Sequence, residues 1–373
     1  MVDDDRLVGE WLANGRRAPR TQGNTAGSEL PTSYVRATAW SDRMSLRNPS
    51  ITTVSNWTSM SFVYRTIVAA LTLFSVSPVG AQHRLITQGN NHLVLVGGNG
   101  KVEWKMPWGG IHDVHVLPNG HLLVPQGASK IVEIDRDSSE VVWSYDSATS
   151  NGNAGQPVEV HAFQPLADGQ VMIAESGPAR IIEIDREGRQ LHTVKLKVDH
   201  PHPHTDTRLV RKLKNGHYLV CHEGDGAVRE YDRDGNVVWD YPVPLFGQKP
   251  RPGHGPEAFG NKCFAAVRLP TGNTLITTGN GHGVIEVTPQ KEIVWQISQS
   301  DLPGIVLAWV TTLEVLPNGH YVIGNCHAGP GQPLLIELDP KTKKVIWTFD
   351  QYDALGNSVS NSQILDAGTG VLR

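Results

Sequence analysis

Short apolar runs separated by turn residues fill the sequence from about residue 84 onward. The stretch 111–146 contains four such runs, DVHVL, HLLVP, KIVEI and EVVWSY. Segments 118–120, 126–129 and 135–138, rich in Asn, Gly, Asp and Ser, separate them. Runs of this length with β-branched and aromatic residues, bounded by turn residues, predict the strands of an antiparallel meander. We therefore expect one four-stranded sheet in this stretch.

The same four-strand unit recurs along the chain, with a period of about 50 residues. The turn glycines after the first strand of each unit are Gly120, Gly169, Gly216, Gly272, Gly319 and Gly368. The third strands carry an acidic column: Glu133, Glu183, Glu230, Glu286 and Glu337. The fourth strands carry an aromatic column: Trp104, Trp143, Trp239, Trp295 and Trp347, with His192 in the remaining copy. Four strands repeated at this period predict a β-propeller, and the two columns are expected to hold its blades together.

The two ends of the repeat region determine the number of blades. The first copy lacks an innermost strand and reads HRLITQG, HLVLVGG and KVEWKMP, whereas the last copy supplies only SNSQILDAG. Pairing these ends completes one blade and removes exposed sheet edges. The prediction is an all-β fold over residues 82–373: one six-bladed propeller of four-stranded antiparallel blades, closed by the C-terminal strand.

The region before the repeats has a different character. Residues 1–59 are polar and aperiodic, which indicates a disordered extension or an over-extended reading of the start. Residues 60–81 show the pattern of a signal peptide, with Arg65 before an apolar run and small residues up to Ala81. We expect export to the periplasm or secretion, from a start at Met60, Met44 or Met1. The alternative for 60–81 is a buried helix packed on the propeller.

Composition excludes several classes of function. A net charge of −4 without a basic stripe gives no support for nucleic-acid binding. The apolar run in 60–81 is too short to span a bilayer stably, so we expect no membrane span in the mature chain. The three cysteines, Cys221, Cys263 and Cys326, allow at most one disulfide. Sequence motifs for nucleophilic-serine, zinc-protease and nucleotide-binding sites are absent.

Histidine, arginine, acidic and amide residues are expected at one mouth of the propeller. In this fold the first strand of each blade lines the central channel, and the 4→1 and 2→3 connections share one rim. Three 4→1 connections are long, namely 146–158, 198–206 and 242–263. The candidate catalytic residues are His112, His161, His204 and Arg208. The candidate substrate-binding residues are Glu175, His222, Glu223, Asn280, His282, Trp309, Asn325 and His327.

Two details of this mouth are left with alternatives. Arg208 and Arg211 are three residues apart, so strand alternation allows only one to face the channel, and we favour Arg208 as a partner for an anion. In the extended segment 200–204, His200, His202 and His204 fall on one side and are weak candidates for a metal site. An exposed histidine-rich loop is the alternative. The residues give no signature for any other cofactor.

The repeat resembles that of bacterial arylsulfotransferase-like propellers, and more loosely that of pyrroloquinoline-quinone-type propellers. The shared pattern is LPNGHLLV, IVEID and EVVWSYD, repeated over residues 84–373. The resemblance implies a channel histidine that is transiently sulfated while other histidines and an arginine hold the sulfuryl group. Residues of the required types are His112, His161, His204 and Arg208.

Two classes of function follow from these observations. The first is an exported enzyme whose histidines at the mouth act on an anionic or aromatic small molecule. The specific reaction considered is sulfuryl transfer. The second is a non-catalytic periplasmic or secreted propeller that binds a small molecule or a protein on the same rim. The first predicts that His161→Ala or His204→Ala abolishes turnover, and the second predicts graded losses of binding.

Overall fold

The structure is a computed structural model that describes residues 82–373. The expected extension 1–59 and signal peptide 60–81 lie outside these residues. The described chain forms six four-stranded sheets, each antiparallel throughout, and almost no helix. This confirms the all-β, six-bladed prediction. Within residues 82–373 no helix is long and apolar enough to cross a membrane.

The strands follow the repeat. Blade 1 contains β1 to β3 and the last strand: β1 Leu85–Gly89, β2 His92–Val96, β3 Val102–Pro107 and β24 Ser362–Ile364. Blade 2 contains β4 His115–Val116, β5 Leu122–Gln126, β6 Lys130–Asp135 and β7 Glu140–Asp146. Blade 3 contains β8 Glu159–Pro165, β9 Val171–Ser176, β10 Arg180–Ile184 and β11 Gln190–Lys195.

The remaining three blades repeat this order. Blade 4 contains β12 Val210–Lys212, β13 Tyr218–His222, β14 Ala227–Tyr231 and β15 Val237–Pro242. Blade 5 contains β16 Ala266–Arg268, β17 Thr274–Thr277, β18 Val284–Val287 and β19 Ile293–Ile297. Blade 6 contains β20 Trp309–Val315, β21 Tyr321–Cys326, β22 Leu335–Asp339 and β23 Lys344–Phe349. Three short helical segments, Ala167–Gly169, Gln299–Asp301 and Tyr352–Leu355, lie in the connections.

Blade 1 is assembled from both ends of the repeat region. Strand β24 pairs antiparallel with β1, with Leu85 opposite Ile364 and Thr87 opposite Ser362. The sheet order is β24-β1-β2-β3. The late strand therefore supplies the innermost position of the blade that begins the repeat.

Four residues of the acidic column join their blade to the next one. Lys212 of blade 4 lies 2.5 Å from Glu183 of blade 3, and Arg268 of blade 5 lies 2.6 Å from Glu230 of blade 4. Glu133 pairs with Arg186, and Glu337 pairs with His83 at 2.9 Å. Because these four acids each reach a basic side chain of the following blade, they hold neighbouring sheets together. The fifth acid, Glu286, instead accepts from Asn273 of its own blade.

The tryptophan column makes a second set of contacts between blades. The indole Nε1 of Trp143 donates to the carbonyl of Arg186, and that of Trp295 donates to the carbonyl of Pro340, both at 2.8 Å. Trp347 Nε1 donates to Gln82 Oε1 at 2.9 Å. His192, which replaces tryptophan in blade 3, stacks on Tyr218 of blade 4. The recurring aromatic is thus a packing and hydrogen-bonding residue.

The end of the propeller that carries the 1→2 turns also holds a buried ion pair and the last residues of the chain. Asp113 is fully buried and holds the Arg211 guanidinium through two contacts, 2.7 Å to Nη1 and 2.9 Å to Nη2. Leu372 pairs with Val315 through two backbone hydrogen bonds. The Arg373 side chain donates to the carbonyls of Val114 and Ser362. A buried ionic group and the segment 371–373 therefore fill this end of the propeller.

The cysteines form no disulfide. Cys221, Cys263 and Cys326 are all buried and free. Burial raises the pKa of Cys326 to about 12, so this thiol stays protonated and packs as a small apolar side chain.

Candidate functional site

Three of the predicted catalytic histidines lie side by side. The rings of His112 and His161 are 4.8 Å apart between centroids, and those of His161 and His204 are 5.2 Å apart. His112 and His204 complete the triangle at 6.2 Å. All three pairs meet edge to face. We call these three residues with Glu159 the histidine cluster. It joins blade 2, the start of blade 3 and the loop 198–206.

Glu159 connects two of the rings. Its Oε2 lies 3.0 Å from His161 Nε2 and 2.8 Å from His204 Nδ1. Burial alone would raise the pKa of Glu159, but the contacts with His161 and His204 outweigh it and hold this pKa well below its usual value. One carboxylate oxygen is therefore shared by two imidazoles.

His161 is held from both sides by acceptor atoms. Its Nδ1 lies 3.0 Å from the carbonyl oxygen of Thr207, while its Nε2 faces Glu159. The Thr207 backbone is in turn fixed by Ser176, whose hydroxyl lies 2.7 Å from Thr207 Oγ1 and 3.1 Å from Thr207 N. Burial, and then the charge of Arg208, lowers the pKa of His161 to about 4.

His112 differs from the other two histidines. No described residue forms a hydrogen bond with its ring nitrogens. The ring is half-buried and lines a cavity of about 380 Å³ that Ser358, Ser360 and His327 also border. Burial, followed by the charges of His161, Arg208 and His204, lowers the pKa of His112 well below its usual value. The ring is thus neutral and adjoins open space.

Arg208 lies beside the cluster and is nearly fully buried. Its Nε pairs with Glu223, and its Nη1 donates to the backbone carbonyl of His204 at 2.6 Å. Lys262 approaches the same Glu223 from the outside at 3.8 Å. The arginine therefore positions the His204 backbone, and the half-exposed Lys262 adds a second positive charge near it.

Arg208 and Arg211 make different contacts, and the expectation that only Arg208 faces the channel stays a prediction. Both side chains are buried and both lie close to blade 2: Arg211 binds Asp113, and the charge of Arg208 acts on His112. The regular strand β12 begins only at Val210, so simple alternation does not extend back to Arg208. Comparable irregularities interrupt β8 between Val160 and Ala162 and β20 between Val310 and Leu313.

Several predicted binding residues are engaged within the protein. The buried Glu175 binds Arg180 Nε at 2.6 Å. His222 bridges the Asp206 carbonyl and the Tyr231 hydroxyl, and His282 bridges the carbonyls of Ala308 and Ala258. The Asn280 side chain accepts from Lys262 N, while that of Asn325 binds three backbone groups of the surrounding loops. These side chains shape the loops around the cluster.

Trp309 is covered by a residue that the sequence analysis did not single out. His254, from the long loop 242–263, stacks on the indole at 4.8 Å between centroids and with 28° between planes. The same imidazole lies 5.4 Å from the ring of His327. Lys262 Nζ lies 5.8 Å from the Trp309 ring. Trp309 is 5 % exposed, so it packs beneath the loop.

The metal candidates of the loop 198–206 do not form a common site. His200 pairs with Asp225 at 3.1 Å, and His202 Nδ1 accepts from His204 N. Within residues 82–373, only His204 joins a group with metal-ligand spacing, together with Glu159 and His161. Glu159 joins this group because strand β8 is irregular just after it and the loop 198–206 curves towards it. In the sequence, only its position two residues before His161 pointed to Glu159.

The architecture and repeat define a class: a six-bladed β-propeller built from pyrroloquinoline-quinone-type repeats. The chain matches, over residues 90–350, the PQQ_2 family, described as outer membrane protein assembly factor BamB, and it belongs to that family. A search of curated protein sequences finds no significant match.

Solved structures with the same fold include a protein of unknown function from Bacteroides caccae. It is 22% identical, with a TM-score of 0.62 over 76% of this chain and 98% of its own. Virginiamycin B lyase from Staphylococcus aureus is 12% identical, with a TM-score of 0.47 over 71% of this chain and 83% of its own. A streptogramin B lyase is 11% identical, with a TM-score of 0.49 over 76% and 94% of the two chains. The likeness to the Bacteroides caccae protein, at 22% identity, supports a shared fold alone.

Proposed function

We propose that the protein is an exported enzyme that transfers a group from an anionic aromatic donor through the histidine cluster. The observation that carries this proposal is the triangle of His112, His161 and His204, in which Glu159 connects the last two and Arg208 lies beside them. Histidines gathered in this way can provide a nucleophile and a base within reach of one substrate. The specific reaction that we propose is sulfuryl transfer from an aryl sulfate.

His112 is the nucleophile in this proposal. Its ring nitrogens have no hydrogen-bond partner among the described residues, and the ring lines the cavity of about 380 Å³. The cavity places a small ligand against the ring without first breaking a protein contact. His161, held by Thr207 and Glu159, lacks this freedom.

The Glu159–His204 pair supplies the base. A carboxylate that accepts from one ring nitrogen fixes the imidazole and leaves the other nitrogen to take a proton. In His204 the oriented atom is Nδ1, so Nε2 is the basic nitrogen. Arg208 fixes the His204 backbone at 2.6 Å and, with Lys262, contributes positive charge near the transferred anion.

The proposed reaction has two balanced steps. A His112 ring nitrogen attacks sulfur, an N–S bond forms, and the S–O bond to the donor breaks with its electron pair leaving on the aryl oxygen. A phenol acceptor then attacks the sulfuryl group, its proton passes to His204 Nε2, and the N–S bond breaks to regenerate neutral His112.

The test uses the purified protein with p-nitrophenyl sulfate and a phenol acceptor. We expect release of p-nitrophenolate and, without acceptor, a mass gain of one sulfuryl group that peptide mapping places on His112. His112→Asn should lose both signals, while His200→Asn, a change at an exposed histidine paired with Asp225, should retain them. Absence of both adduct and turnover in the unmodified chain would overturn sulfuryl transfer.

A second function, binding without catalysis, is favoured by a different observation. The charged groups around the cluster already have partners within the protein, because Arg208 pairs with Glu223 and the Glu159 carboxylate contacts the rings of two histidines. Such a balanced rim suits recognition of a small molecule or of a protein, and the family is described by a role in outer membrane protein assembly. Saturable ligand binding without turnover, and graded losses on mutation, would support this function.

Export is part of the proposal and has its own test. N-terminal sequencing of protein recovered from its native cell should give a chain that begins near Gln82. A start at or before Met60 in the mature protein would contradict cleavage of a signal peptide.

A further inference from the structure

We propose that Glu159, His161 and His204 form a binding site for one divalent first-row transition metal ion, with zinc as the preferred occupant. One ligand atom from each residue lies within 4.8 Å of the other two. Two histidines and one glutamate are an established ligand set for zinc that keeps an exchangeable position. This inference goes beyond the proposed function and does not depend on it.

The first argument is the arrangement of acceptors around His161. A neutral imidazole carries one N–H. Thr207 presents a carbonyl oxygen to Nδ1 at 3.0 Å, and Glu159 presents a carboxylate oxygen to Nε2 at 3.0 Å. Both partners are acceptors, so an imidazole with a single N–H can donate to only one of them. A cation between Nε2 and Oε2 leaves that N–H to the Thr207 carbonyl.

The second argument is the outer support of the ring. Histidines that bind metals almost always donate the other ring N–H to a carboxylate, a backbone carbonyl or water. With an ion on Nε2, the Thr207 carbonyl would accept in this manner from His161 Nδ1, which lies 3.0 Å away. Ser176 fixes the Thr207 backbone and hydroxyl, so the ring is oriented before any ion arrives.

The third argument is the spacing of the donor atoms. Glu159 Oε2 lies 3.0 Å from His161 Nε2 and 2.8 Å from His204 Nδ1. Ligands at about 2.0–2.2 Å from a tetrahedral zinc ion are separated by roughly 3.3–3.5 Å. The two glutamate–histidine pairs therefore need to move apart by only about half an ångström to admit the ion. The ligand nitrogens of the two histidines lie within 4.8 Å of each other.

The surroundings fit a site with an open coordination position. His161 is 3 % exposed, whereas His204 lies at the surface of the cluster. His112 contacts the rings of both histidines, so a fourth ligand would enter beside it. A metal would replace the proton on His204 Nδ1, and the metal-loaded and metal-free forms would differ in any reaction that uses this pair.

The experiment measures metal binding in the absence of substrate. The purified full chain is stripped with a chelator, passed through gel filtration and titrated with Zn²⁺ in competition with a chromophoric chelator. Co²⁺ titration then reports the geometry through its visible absorption. We expect one equivalent of either ion per chain and intense cobalt bands of a four-coordinate site.

Variants locate the site. Glu159→Gln and His204→Asn should each weaken Zn²⁺ binding by at least about 100-fold, since losing even an outer partner of a ligand costs about 10–100-fold. His200→Asn is the matched control in the same loop and should change the affinity by less than about threefold. Circular dichroism and the melting temperature confirm that each variant is folded. His204, which is partly exposed, keeps the test usable if the Glu159 variant does not fold.

Three results would overturn the proposal. The first is no stoichiometric binding of Zn²⁺ or Co²⁺ to the unmodified chain. The second is binding that Glu159→Gln and His204→Asn leave unchanged. The third is binding that is lost in His200→Asn while it survives in His204→Asn, because the ion would then sit in the exposed loop.

Discussion

The carboxylate of Glu159 lies 2.8 Å from Nδ1 of His204, although 45 residues separate the two along the chain. Glu159 begins strand β8, and His204 belongs to the loop 198–206 that leads into blade 4. The contact therefore tethers a loop to the neighbouring blade at the place where the histidine cluster forms.

Loss of this tether should loosen the loop. In Glu159→Gln the amide side chain keeps the size of the carboxylate but not its charge, and the contact with His204 weakens. We expect faster amide hydrogen exchange over residues 200–206, measured by mass spectrometry, with little change in the strands. Glu187→Gln, at an exposed carboxylate, is the control. Equal exchange in the two variants would show that the other loop contacts suffice.

The pair of Asp113 and Arg211 should be important for stability. In Asp113→Asn the buried guanidinium loses its charged partner, and breaking a buried pair from one side costs about 3–5 kcal/mol. Urea unfolding followed by tryptophan fluorescence measures the loss. The exposed Asp137 provides the control Asp137→Asn, for which we expect a change within about 0.5 kcal/mol. A comparably small loss for Asp113→Asn would contradict the role assigned to the pair.

Glu314 should make stability depend on pH. Burial raises its pKa from 4.5 to about 7, although Arg373 and the amide of Ile364 act in the opposite direction. The native state therefore binds more protons than the unfolded state between pH 4.5 and 7, and this group destabilises the fold increasingly as pH rises through that window.

A variant without the titrating carboxyl group tests whether Glu314 makes stability fall as pH rises. Glu314→Gln keeps an acceptor for Ile364 N but cannot ionise. The free energy of unfolding of the variant minus that of the unmodified chain should rise by about 3 kcal/mol between pH 4 and pH 8. Chemical denaturation at several pH values gives the difference. A difference that is constant over this range would contradict the raised pKa.

The tryptophan column should contribute through its hydrogen bonds between blades. Trp295→Phe keeps an aromatic ring but removes the donor to the Pro340 carbonyl, at an expected cost of about 1 kcal/mol plus the lost packing. Trp104 belongs to the same column and donates to no described residue, so Trp104→Phe is the matched comparison. Equal losses in urea unfolding would mean that ring packing alone explains the column.

The repeat was readable from the sequence because each blade solves the same packing problem. Turn glycines such as Gly120 adopt positive φ, and the strand pattern between them leaves little choice of sheet face. The convergence of His112 and His161 also followed from propeller geometry, since equivalent positions of successive blades approach the same axis. His204 was expected near them because its 4→1 connection lies on the same rim. These predictions depend on periodicity, which the sequence displays directly.

The remaining features depend on departures from periodicity. Arg208 lies just before the regular part of its strand, so alternation did not place it relative to Arg211. His254 reaches Trp309 through the curvature of a long loop, and Asp113 finds Arg211 across 98 residues. Such contacts form between segments that are distant in sequence and meet only when the blades close into a ring, so no local sequence pattern predicts them.

The pairing of β24 with β1 gives the propeller a definite order of assembly during synthesis. Blades 2 to 6 each consist of consecutive strands and can form as they leave the ribosome. Strand β1 must wait for residues 362–364, which are made hundreds of residues later, before its inner edge is covered. Until then the nascent chain carries an unpaired strand edge that invites association with other chains. Pairing of the late strand β24 with β1 covers this edge and thereby removes the main site at which the nascent chain could pair with another chain.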